Sequence, residues 1–92
     1  MKYQNGTDWV ELAGVASRTM RELNALYEHA DKARALVMAC VKAGELSNSG
    51  GPVDLALPDW PLDLTLAQWD WLRECMWKAA RDETLDPEAS GR

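Results

Sequence analysis

One histidine, two cysteines, a few serines and a scatter of aspartates are what this 92-residue chain offers to catalysis. A general base needs its partner within hydrogen-bond reach. His29 has Glu28 beside it, but adjacent residues project to different sides of a helix, so His29 reads as a solvated surface side chain. Ser17, Ser47, Ser49 and Ser90 have no base placed near them. Cys40 and Cys75 lie far apart inside helical patterns and read as buried thiols. Two cysteines and one histidine make no zinc site. Asp54, Asp59 and Asp63 are too widely spaced, with prolines between, for a calcium loop. No glycine-rich phosphate loop is present. The sequence therefore predicts no catalytic, cofactor or metal residues.

Aromatic surface is far more concentrated. Residues 59–81, DWPLDLTLAQWDWLRECMWKAAR, hold Trp60, Trp69, Trp71 and Trp77. On a helical wheel Leu66, Trp69, Leu72, Met76, Ala79 and Ala80 share one arc, which should face the core, with Trp77 at its margin. Trp71 lies about 160° from Trp69, beside Glu74, Cys75, Lys78 and Asp82. It is either covered by residues 53–64 or exposed. An exposed aromatic with a charged rim is how partner-binding patches look. The candidate partner-binding residues are Trp71, Trp77 and Lys78, with Trp9 as an outlier. Trp69 builds the fold, and Trp60 is tucked in. The chain has no phenylalanine, so Met20, Met38 and Met76 are expected to fill core space with Trp and Leu.

The elements that must carry these residues are written in caps and breakers. Asn5-Gly6 is a hairpin signal of type I′, flanked by Tyr3, Trp9 and Val10. A competing helix from Asp8 would continue an apolar stripe through Trp9, Leu12, Ala16 and Met20, but Gly14, Thr7, Val10 and Val15 favour strand and turn. Thr19-Met-Arg-Glu22 is a capping box. Apolar residues then recur at Leu23, Leu26, Tyr27, Ala30, Ala33, Val37, Cys40 and Val41, and Gly44 is a C-terminal stop. This predicts a helix over 20–43. Ser47–Pro52 marks a loop, and Pro58 and Pro61 forbid helix in the leucine-rich stretch that follows. Thr65-Leu-Ala-Gln68 is a second capping box, opening a helix over about 66–82. The predicted fold is mostly α: a short N-terminal β-hairpin or extended segment, then two main helices (20–43 and 66–82) joined by a Pro-rich crossing segment. Residues 1–82 form a single small helical domain, and 83–92 an acidic, disordered tail.

The net charge is −5, with six basic and six acidic groups over 1–46 but four basic and nine acidic over 47–92. The acidic second half argues against a nucleic-acid partner. No run of 18 apolar residues suggests a membrane span, and KYQNGTDWVEL is no secretory leader. The expected location is the cytoplasm.

Three stretches carry a family likeness. NGTDWVEL, ASRTMRELNAL leading into ARALVMACV, and LPDWPLDLTLAQWDWL together resemble the small tail assembly chaperones of long-tailed bacteriophages. The resemblance implies a protein that covers the apolar helical surface of a tape-measure protein during assembly, in the host cell cytoplasm. Helix-in-groove packing is the mode that would serve it. Two other readings stand beside it. One is a small acidic inhibitor of a nucleic-acid-binding protein, whose complex salt would weaken. The other is a structural subunit that self-associates.

Overall fold

The computed structural model describes residues 1–48 and 51–85. Its strands are β1 (Lys2–Asn5), β2 (Asp8–Leu12), β3 (Val41–Asn48) and β4 (Gly51–Val53); its helices are α1 (Met20–Asn24), α2 (Ala30–Cys40) and α3 (Leu66–Leu85). The four strands form one antiparallel sheet in the order β1-β2-β3-β4. The fold is thus α+β, which corrects the mostly α expectation.

The correction comes from residues 20–43. The Thr19–Glu22 capping box forms as expected, with the Glu22 amide donating to the Thr19 hydroxyl at 3.1 Å. The helix it opens ends at Asn24, however, and a 3-10 turn covers Ala25–Tyr27. A second helix begins after His29, whose Nδ1 accepts from the Asp31 amide at 3.0 Å and so caps it. At Val41 the chain passes straight from helix into strand. The open edge of β2 is the reason. Pairing Trp9 with Glu45 and Val10 with Gly44 satisfies two rows of backbone groups at once, and that gain overrides a weak helix preference. Gly44 is therefore no helix stop but a mid-strand residue. A Cβ there would lie 2.7 Å from the Trp9 carbonyl oxygen. The register steps past Lys42, whose ammonium donates to the Ala39 carbonyl at 2.8 Å and closes the end of α2.

The N-terminal hairpin is present, but its turn is Gly6-Thr7, between the paired Asn5 and Asp8. Gly6 has φ of 62° and no non-glycine residue has positive φ. That is the type II′ pattern with glycine first, not I′.

One face of the sheet and the three helices share a core of Val10, Leu12, Leu26, Val37, Leu46, Leu72 and Met76, with Trp60 and Trp69. Residues 53–64 do not cross as one extended strand. Leu46 pairs with Val53, Asp54 makes a turn, and Trp60–Asp63 forms a 3-10 turn that packs on α2. The second capping box is intact, with Thr65 donating to Gln68 Oε1 at 2.9 Å and the Gln68 amide donating back to the Thr65 hydroxyl at 3.2 Å. The helix it opens continues to Leu85. The rest of the expected tail, residues 86–92, lies outside the described residues.

Candidate protein-docking site

α3 is held against the hairpin at two points. Gln68 donates to Asp8 at 3.4 Å, and the Tyr3 hydroxyl donates to Asp82 at 2.9 Å. Positions 68, 71, 75 and 82 share one strip of the helix, so this strip faces the hairpin. It carries Trp71, which is half-buried and packs on the core, and Cys75, which is buried. Trp71 is thus neither fully exposed nor fully buried. Burial pushes the Cys75 thiol up to about 11, with Lys78 pulling against it and Glu74 adding to it.

A different strip of α3 is open. Leu66, Arg73 and Trp77 fall within about 40° of one another on the helical wheel. At one end Leu66 and Arg73 line a cavity of about 390 Å³ with Leu62, Leu64, Trp69 and Glu28. At the other, Trp77, Ala80 and Arg81 line a cavity of about 340 Å³ with Met20, Leu23 and Arg18. Tyr27 joins the two. Its ring lies 5.5 Å from that of Trp77, and the Arg73 guanidinium stands 5.0 Å over its centroid. The groove from Leu66 to Arg81 is about 22 Å long at the α-helical rise.

Large apolar side chains stand out of this groove. Leu66 is 75% exposed, Met20 62%, Tyr27 55% and Leu62 42%. Leu57 alone among the exposed large hydrophobics of the described residues neither lines these cavities nor stacks between them. The groove's basic groups are fixed or poised. Arg73 pairs with Asp70 at 2.7 Å. Arg18 lies against Cys40 and Glu22, which raise its pKa in that order. The Arg81 side chain is exposed and makes no ion pair among the described residues.

The four residues singled out from the sequence do not converge. Trp77 lines the groove; its indole nitrogen is buried without a hydrogen-bond partner. Trp71 sits on the hairpin side, with Lys78 exposed near it on the wheel. Trp9 is on the outer face of the sheet, where the Lys2 ammonium lies 4.5 Å from its ring. Met20, Leu62 and Leu66 went unnoticed as surface residues. The readable signal was their position. Met20 and Leu66 each directly follow a capping threonine, so each occupies the first helical position, ahead of the packed turns.

A third cavity, about 560 Å³, lies between the two hairpins and is walled by Asp8, Glu45, Ser47, Asp54 and Leu55. Asp8 is already engaged there, accepting from the Ser47 amide and hydroxyl at 3.3 and 3.1 Å. The described residues contain no cluster of three His, Cys, Asp or Glu that could hold a metal, and no helix long and apolar enough to cross a membrane. No protein-family model, curated protein or solved structure matches the chain.

Proposed function

We propose that this chain is a non-enzymatic assembly protein of the phage tail-chaperone kind. It acts in the cytoplasm, the host's if the chain is phage-encoded, and presents the α3 groove to an apolar helical surface such as that of a tape-measure protein. The observation that carries this is the alignment of Leu62, Leu66, Tyr27 and Met20 along one groove. Small domains seldom leave large apolar side chains contiguous unless something covers them. A groove of about four helical turns suits an amphipathic helix. The side chains most suited to catalysis support the same reading: His29 is used as a helix cap, and the Cys75 thiol is held protonated.

The test is co-expression with an apolar helical segment of a tape-measure protein. The wild-type chain should keep the segment in the supernatant, and the complex should persist from about 0.1 to about 1 M salt. Met20→Glu together with Leu62→Glu should weaken the complex by about 2 kcal/mol or more. A segment that precipitates regardless, or a complex lost on adding salt, overturns the proposal.

A further inference from the structure

Charge, rather than shape, tells the two ends of the α3 groove apart. Both ends are hollows with exposed apolar side chains, Leu62 and Leu66 at one and Met20 at the other. Arg18, Arg73 and Arg81 line the groove against one carboxylate, Glu28. Most of these charges are already balanced. Arg18 pairs with Glu22 at 3.3 Å, Arg73 with Asp70 at 2.7 Å, and Glu28 with Lys32 at 3.7 Å. Arg81 is the exception. It is exposed and makes no ion pair among the described residues. Side chains three and four residues apart meet along a helix, and around Arg81 those positions hold Trp77, Lys78, Thr84 and Leu85, none of them acidic. The adjacent Asp82 accepts from the Tyr3 hydroxyl on the hairpin side. Across the hollow stand Ala16, Arg18, Met20 and Leu23. None of these neighbours offers Arg81 a carboxylate, although acidic residues outnumber basic ones by 15 to 10 in the chain.

We propose that the groove takes an amphipathic helix with carboxylates in its first turn, laid antiparallel to α3 so that this turn rests on Arg81. The proposal rests on the assembly reading and names the kind of helix that reading leaves open. Two electrostatic effects agree on the direction. Carboxylates are stabilised at the N-terminus of their own helix, and the negative C-terminal end of α3, where Arg81 lies, attracts the positive N-terminal end of another helix. Antiparallel packing meets both, and sets the partner's last turn beside Leu62, Leu66 and Glu28. The apolar stripe carries the affinity, and the charge selects among helices. That selection runs against the net charge of −5, which at long range favours basic helices. A preference for acidic ones is therefore the mark of Arg81 itself.

The test titrates the full 92-residue chain with synthetic amphipathic peptides of about 16 residues, the span of the groove. All share one leucine stripe. The first carries glutamates in its first turn, the second carries lysines there, and the third carries the glutamates in its last turn. Calorimetry in about 0.05 M salt should show the first bound about fivefold or more tighter than either of the others. Glutamates in the first turn also stabilise a free helix, so the preference is read against Arg81. Arg81→Gln should cut it about threefold or more, and Arg81→Glu further still. Helicity by circular dichroism checks that each variant folds. Salt at about 1 M should narrow the wild-type preference without releasing the peptides. A preference that is absent, or that survives both substitutions, overturns the inference and leaves the assembly reading standing. Peptides that all fail to bind overturn both. A chain that binds none of them and sediments at twice its 10.3 kDa gives the groove to a second copy, and overturns the inference as well.

Discussion

Cys75 is 3% exposed, and that burial sets its chemistry. The folded chain keeps the thiol proton to about pH 11, against 9.0 for an ordinary thiol. Folded protein thus holds the proton more tightly than unfolded protein. The resulting stability is whole below pH 9 and drains away as pH rises from 9 to 11. Urea midpoints of the wild type should fall across that window relative to those of Cys75→Ala; parallel profiles would contradict the assignment. At this scale the sequence was legible where periodicity spoke for itself. Trp69 and Trp60 are buried as read. Leu66 was misread because a wheel treats the first helical residue like any other. Met20 was misread as core for the same reason. Cys40 and Cys75 are buried thiols as read, although Cys75 lies on the strip of α3 that the wheel gave to polar neighbours.

The passage from α2 into β3 decides the fold class. Both capping boxes and the stops imposed by proline were readable, because each is a local hydrogen-bonding or steric rule. The strand over Val41–Asn48 was not, because its cause is the edge of β2, some thirty residues earlier in the chain. The Gly6-Thr7 turn shows the limit in miniature. Asn5-Gly6 signalled a hairpin, yet the register set by Tyr3 opposite Val10 moved the turn by one residue. Gly44 offers the sharpest check on this arrangement. A Cβ 2.7 Å from the Trp9 carbonyl forces β2 and β3 apart, so Gly44→Ala should cost about 1–3 kcal/mol in urea denaturation. A helix-stop glycine in the αL conformation would instead be strained by its backbone, with no contact to Trp9. A change confined to the assigned indole N–H resonance of Trp9, one of five tryptophans, would identify the sheet as the part disturbed.

For the molecule as a whole, the sheet takes one face of the helices and leaves the α3 groove uncovered. The chain bears −5 overall, yet two of its arginines rim one end of that groove. This asymmetry was invisible in the sequence, where Arg18 and Arg81 lie in opposite halves. Leu66 and Met20 stand exposed in that groove, so Leu66→Glu with Met20→Glu should leave the stability measured in urea within about 0.5 kcal/mol of the wild type. A larger loss would place these side chains in the core.

Cys40 and Val41 are neighbours with no loop between helix and strand, and this leaves the segment without slack. Deleting one residue from α2 would turn its preceding face by about 100°. Deleting one from β3 would exchange its inner and outer faces. Neither error could be absorbed locally, because the Lys42 step is already used to fit the two together. Descendants of this gene should therefore gain and lose codons at the Gly6-Thr7 turn or across 54–59, while the length of 30–48 stays fixed through time.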